Sequence, residues 1–181
     1  MIYTLLKPIL WLLFKIGLRL NVEGTENIPK DGPLVIASNH LSLLDPPVIG
    51  VAATRKVHFM AKQELFRFKP LAWALRHVGA FPVSRGDNDI QAVKTAIQAI
   101  KSGDNLLIFP EGTVIRNGIG CKDGLPAHAK AGVAVIGVRT GATMIPVFVD
   151  GEKKPFHRTR IIFGKPYIPV YTGRHGTSEE M

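Results

Sequence analysis

The chain of 181 residues carries 23 Lys plus Arg against 14 Asp plus Glu, a formal net charge of +9 at pH 7, and 46% of its residues are hydrophobic. So apolar a chain of this length can bury roughly two-thirds of its unfolded surface around one core, which argues for a single domain and excludes a disordered polyelectrolyte. A solitary cysteine, Cys121, excludes an intramolecular disulfide framework and a cysteine-based zinc site, and 18 Gly and 13 Pro without a repeat period exclude collagen-like and low-complexity classes.

The first element runs from Ile2 to Leu20 and is apolar throughout except for Thr4, Lys7, Lys15 and Arg19. Its longest uncharged stretch, Pro8 to Phe14, falls far short of the ~20 residues a spanning helix needs. On a helical wheel Lys7, Lys15 and Arg19 share a sector, so the segment reads as an interfacial helix with its apolar face in lipid and its cations near the headgroups. Pro8 sits badly inside a helix, and the regular part is expected to start there. A signal peptide is disfavoured because no small-residue cleavage site follows. A first helix simply packed on the core is the plain alternative.

Beyond it, short Val- and Ile-rich runs alternate with helical patterns, the signature of an α/β domain. Strands are expected at Asn21 to Glu23, Leu34 to Ser38, Val57 to Met60, Ala80 to Val83, Leu106 to Phe109, Met144 to Val149 and Arg160 to Phe163. Helices are expected at Pro46 to Ala53, Pro70 to His77, Asp89 to Lys101 and Ala131 to Thr140. The helix from Asp89 is the clearest, with Ile90, Val93, Ala96, Ile97 and Ile100 on one face and Gly103 past its end. Near the C-terminus, Thr177-Ser178-Glu179-Glu180 is a capping-box pattern that would open one more helix just where the chain stops.

Three loops that follow predicted strands carry chemistry. In the first, Ser38-Asn39-His40-Leu41-Ser42-Leu43-Leu44-Asp45-Pro46-Pro47, the histidine and the carboxylate would lie about 140° apart on a regular helix and meet only in a turn. Asp45 suits an N-cap with Pro46 at the first helical position, which frees His40 to Leu44 to loop back. Asp45 could then fix the imidazole tautomer while the other ring nitrogen takes a proton from a hydroxyl. Equally, Asp45 could only cap the helix and His40 could be a polar loop residue. Ser42 as a nucleophile is discounted, because no G-x-S-x-G elbow is present.

The second loop, Ile108-Phe109-Pro110-Glu111-Gly112-Thr113, ends an apolar strand, where open α/β sheets gather their chemistry. Glu111 could orient a cation or a hydroxyl, and Gly112 and Thr113 offer donors; as a plain turn it would look the same. In the third, Gly79-Ala80-Phe81-Pro82-Val83-Ser84-Arg85-Gly86, the guanidinium of Arg85 suits a phosphate. It closes a basic stretch of Arg55, Lys56, Lys62, Arg67, Lys69, Arg76 and Arg85 against the single acid Glu64, although a solvated basic face would read alike. A later run, Ile145 to Gly151, reads as a buried strand with no chemistry of its own. The glycine run from Gly118 to Gly124 does not match a dinucleotide loop, because its last glycine is one residue late and no strand directly precedes it.

Taken in order, N-H-x-x-x-x-D, G-x-F-P-x-x-R, F-P-E-G-T and the Pro-bearing strand resemble the glycerolipid acyltransferases, specifically the bacterial type of 1-acyl-sn-glycerol-3-phosphate acyltransferase, over about Leu20 to Gly164. The resemblance implies one α/β domain with a mostly parallel central sheet flanked by helices, the acyltransferase domain proper spanning 21–181 and residues 1–20 forming a membrane-surface anchoring helix. It implies that His40 is the general base and Asp45 its partner, that Arg85 binds the acceptor phosphate, and that Glu111, Gly112 and Thr113 complete the acceptor site. Acyl would pass from acyl-CoA or acyl carrier protein to the sn-2 hydroxyl of 1-acyl-sn-glycerol 3-phosphate, giving phosphatidic acid, directly and without an acyl-enzyme. No metal or other cofactor and no nucleic acid is implied, and the enzyme would sit on the cytoplasmic face of the cell membrane as a peripheral or monotopic protein. Lys130-Ala131-Gly132 also resembles a stretch after the third block. Where the family usually has Arg directly after F-P-E-G-T this chain has Val114, the next arginine being Arg116. That departure keeps other acceptors open, namely glycerol 3-phosphate, another lysophospholipid or a lyso-aminolipid. A non-catalytic membrane-surface lipid-binding protein on the same scaffold is the alternative outside enzymes, and intact His40 and Asp45 argue against it.

Overall fold

The computed structural model describes residues 2–83, 89–112, 114, 121–122, 125–126, 132–151 and 153–170. Leu34–Ser38 (β2) is a continuous apolar run with Leu34, Val35 and Ile36 completely buried, the pattern of a strand covered on both faces. It lies at the middle of a seven-stranded sheet formed with Asn21–Glu23 (β1), His58–Lys62 (β3), Ala80–Val83 (β4), Leu106–Ile108 (β5), Thr143–Asp150 (β8) and Arg160–Phe163 (β9). The order is β1-β9-β8-β2-β5-β3-β4. From β8 to β4 all neighbours are parallel; β9 runs antiparallel to β8, and β1 is parallel to β9. The α/β fold expected from the alternating pattern, and the mostly parallel sheet that the resemblance implies, are therefore present. Two short strands, Cys121–Lys122 (β6) and Leu125–Pro126 (β7), pair antiparallel outside the sheet.

Helices cover both faces. Ile2–Gly17 (α1) and Asp45–Ala52 (α2) lie on one side, where Phe14, Val48 and Ile49 pack with Leu34, Ile36, Leu107 and Ile145. Lys69–His77 (α3) adds Leu75 to the edge of that cluster. On the other side Asp89–Lys101 (α4) and Gly132–Thr140 (α5) set Ala96, Ile100 and Ile136 against Val35, Leu106, Ile108 and Met144. Successive residues of β2 thus enter opposite cores, as the two-residue period of a strand requires.

Several expectations need correction. Helix α1 runs through Pro8 instead of starting there, because the fixed φ of proline is itself helical and its missing N–H costs one bond near the helix start. Lys7 does not join Lys15 and Arg19 at a surface: its Nζ donates to the Ala53 carbonyl at 2.7 Å, and burial lowers its pKa. The inward side of α1 carries Lys7, Leu10, Trp11 and Phe14, and the exposed stripe is Leu5, Ile9, Leu12, Leu13 and Ile16. Helix α2 begins at Asp45 itself, with Leu44 in the cap position and no side-chain cap; the carboxylate turns back to the preceding loop, for a reason given below. The capping-box pattern at 177–180 lies outside the described residues. No described helix is long and apolar enough to cross a membrane.

Candidate active site

The carboxyl ends of β8, β2 and β5 are neighbours in the sheet, and the loops leaving them meet. As the main chain leaves β2, the side chain of Asn39 replaces it in the ladder. Its Nδ2 donates to the Val149 carbonyl at 2.8 Å and its Oδ1 accepts the Val149 N–H at 2.8 Å. The next residue, His40, is only 5% exposed. Its ring stacks on Phe109, with centroids 4.0 Å apart and planes 23° from parallel. The His40 N–H donates to Glu111 Oε2 at 2.8 Å. Phe109 and Glu111 belong to the turn after β5, closed by the Gly112 N–H on the Phe109 carbonyl at 2.9 Å. That turn needs φ +70° at Gly112, a conformation glycine adopts without strain.

Asp45 is completely buried. Its Oδ2 lies 3.1 Å from His40 Nδ1 and accepts the N–H groups of Leu41 at 2.7 Å and Ser42 at 2.6 Å. Those bonds explain why Asp45 does not cap its own helix: the carboxylate holds the tight loop that brings the histidine back. Ser42 Oγ accepts the Leu44 N–H at 3.2 Å, within the same loop. The other carboxylate oxygen, Oδ1, lies 3.2 Å from Lys153 Nζ; the approach is that of an ion pair, off the line of an aligned hydrogen bond. The Lys153 side chain is 2% exposed and also donates to the Gly151 carbonyl at 3.1 Å.

Burial is the strongest influence on the Asp45 carboxyl and pushes its pKa up, but the His40 hydrogen bond, the Lys153 charge and the Ser42 N–H together hold it below the usual aspartate value. An ionised Asp45 at neutral pH keeps the proton on Nδ1, which leaves Nε2 as the basic nitrogen of His40. Glu111 is shifted the other way. Burial raises its pKa, only partly offset by the His40 N–H and the His40 ring.

The structure brings His40, Asp45, Glu111 and Gly112 together. Arg85 and Thr113, with Lys130, Ala131 and Arg116, lie outside the described residues. Of the basic stretch, Arg55 clamps a loop: its guanidinium donates to the carbonyls of Pro29, Asp31 and Gly32 at 2.8 to 3.3 Å. Sequence reasoning missed Lys153, gave Asn39 no role and saw no partner for Phe109. Each depends on which strands are neighbours, a fact that no local pattern carries.

The family profile described as "Acyltransferase" matches residues 19–150, and the chain belongs to that acyltransferase family. It is 36% identical over 114 residues to the 1-acyl-sn-glycerol-3-phosphate acyltransferase of Bacillus subtilis, a match covering 62% of this chain and 57% of the relative. To the chloroplastic 1-acyl-sn-glycerol-3-phosphate acyltransferase of Arabidopsis thaliana it is 30% identical over 139 residues, 75% of this chain and 37% of the relative. The chain thus matches between about a third and somewhat over half of the length of these relatives. The crystal structure of the 1-acyl-sn-glycerophosphate acyltransferase PlsC from Thermotoga maritima superposes with a TM-score of 0.68 at 24% identity, covering 96% of this chain and 70% of that one, and shares the fold.

Proposed function

We propose that the protein transfers a fatty acyl chain from acyl-CoA or acyl carrier protein to the sn-2 hydroxyl of 1-acyl-sn-glycerol 3-phosphate, giving phosphatidic acid. The observation that carries this reading is the buried contact of His40 Nδ1 with Asp45 Oδ2 at 3.1 Å. The acceptor and the reaction are those of the related 1-acyl-sn-glycerol-3-phosphate acyltransferases of Arabidopsis thaliana and Bacillus subtilis. Nε2 of His40 removes the hydroxyl proton as the oxygen attacks the thioester carbonyl carbon. The tetrahedral intermediate then expels the thiolate, which takes the proton back from His40. A thiolate leaves readily, since thiols are far more acidic than alcohols. The N–H groups of Leu41, Ser42 and Gly112 are already committed to Asp45 and Phe109, so the oxyanion draws its donors from elsewhere in the site. Arg85 and the Glu111-Gly112-Thr113 turn would complete the acceptor site.

The same reading places the enzyme peripherally on a membrane, on the cytoplasmic face where both thioester donors are found. Two features support it. The outward stripe of α1, Leu5, Ile9, Leu12, Leu13 and Ile16, is 59–67% exposed along its whole length. Around α3, exposed Phe68, Leu71 and Trp73 stand among the cations Lys62, Arg67, Lys69 and Arg76. Apolar side chains ringed by cations suit an anionic bilayer surface.

The reading is tested by incubating the protein with labelled acyl-CoA or acyl carrier protein and vesicle-borne lysophosphatidic acid. Labelled phosphatidic acid is expected. Label appearing only in glycerol 3-phosphate or in a lyso-aminolipid would move the acceptor, and no transfer with any donor would overturn the reading.

A further inference from the structure

We infer that Lys153 is a positioning residue for the His40–Asp45 pair, its ammonium holding the free oxygen of the Asp45 carboxylate so that the other oxygen stays on the imidazole. The inference rests on the reading of His40 as the base. Oδ2 of Asp45 serves His40 Nδ1 and the N–H groups of Leu41 and Ser42, whereas Lys153 Nζ, 3.2 Å away, is the charge on Oδ1. A lysine side chain 2% exposed beside a fully buried aspartate gives up hydration that apolar residues of the same volume would not forfeit, so stability alone does not account for the pair.

Lys153 is delivered by a shaped turn. Gly151 adopts φ +88°, where a Cβ would collide with the Arg158 carbonyl; its N–H is held by Asp150 Oδ1 at 2.7 Å and its carbonyl accepts the Lys153 ammonium. Two positions before that turn, Val149 of β8 pairs with Asn39. The end of β8 therefore grips the catalytic loop twice, at the residue before His40 and at the carboxylate that orients His40.

An ammonium on Oδ1 also shares the Asp45 charge, so less of it is available to stabilise an imidazolium. The charged groups facing the pair among the described residues are Lys153 from the loop after β8 and Glu111 from the turn after β5. Removing Lys153 leaves the two carboxylates unopposed and favours the protonated ring.

The test compares wild type with Lys153→Met and Lys153→Gln, reading the His40 imidazole titration by NMR without substrate and the kinetics of acyl transfer. In either folded variant the His40 midpoint and the acid limb of kcat are expected to move to higher pH. Acceptor KM should stay within twofold, and kcat at neutral pH should fall on the order of 10- to 100-fold. An unmoved midpoint with kcat near wild type overturns the inference. If neither single variant folds, the double variant Asp45→Asn/Lys153→Met decides: recovery of the fold supports Lys153 as the counter-charge of Asp45, and continued unfolding overturns it. A wild type without acyl transfer would defeat the acyl-transfer reading, while the titration would still test Lys153.

Discussion

Asn39 pairs its carboxamide with both main-chain groups of Val149, at 2.8 Å each, and so extends the β2–β8 ladder beyond the last main-chain register, Ser38 with Val147. The main chain at Asn39 is thereby free to turn, and His40 swings onto Phe109 and Asp45. Asn39→Ala strands the N–H and carbonyl of Val149 and is expected to destabilise the protein by about 2–6 kcal/mol, at about 1–3 kcal/mol for each of the two unsatisfied groups. Urea unfolding measures it, and kcat should fall with acceptor KM little changed. A loss under about 0.5 kcal/mol would mean that water replaces the carboxamide at no cost.

Glu111 separates charge from hydrogen bonding. Glu111→Gln keeps an acceptor for the His40 N–H while removing a carboxylate whose pKa is raised by burial. A group with a raised folded pKa binds its proton more tightly in the native state, so its contribution to stability shrinks as pH rises through that value. The stability of Glu111→Gln relative to wild type should therefore increase as pH climbs above the ordinary glutamate value of 4.5 and then level off. Thermal melts across pH 4 to 8 read the trend directly, and a decrease over that window would show that the carboxylate is needed in ionised form.

Asp45 behaves oppositely. Its folded pKa is depressed, so its stabilisation is present above the ordinary aspartate value of 3.8 and is lost as pH falls through the lower folded value. Acid unfolding of wild type should steepen below pH 4. In Lys153→Met, where the charge on Oδ1 is gone, the midpoint of acid unfolding should move to higher pH. An unchanged midpoint would mean that Lys153 does little to hold the carboxylate ionised.

The outer stripe of α1 makes no demand on the core. Leu12→Glu with Ile16→Glu should leave Tm within a few degrees, because both side chains are about 60% exposed. Binding to vesicles rich in phosphatidylglycerol should weaken by tenfold or more, since each large apolar side chain contributes about 1.5–3 kcal/mol when buried. Co-sedimentation measures the change, and undiminished binding would remove the stripe from the membrane contact.

Much of this architecture was legible in the chain, and the illegible part has a common cause. Leu34–Ser38 and Asp89–Lys101 were found at their observed bounds because burial on two faces, or on one helical stripe, writes itself into local periodicity. The meeting of His40 with Asp45 was one of two readings that a short loop ahead of two prolines allowed, and the structure has it. The direction of the Asp45 carboxylate did not, because an aspartate ahead of Pro46 satisfies the capping pattern whichever way its side chain turns. Lys153 was invisible for a different reason: nothing near it says that β8 lies beside β2. The α1 register failed similarly, since a wheel that groups Lys7 with Lys15 cannot know that the Ala53 carbonyl waits on the inner side.

The central claim is that His40 is the base of an acyl transfer, and the rate of phosphatidic acid formation by His40→Ala tests it most directly. A fall of about 100- to 10,000-fold is expected, with vesicle binding and the melting profile close to wild type. Full activity in a folded, vesicle-bound His40→Ala protein would contradict it.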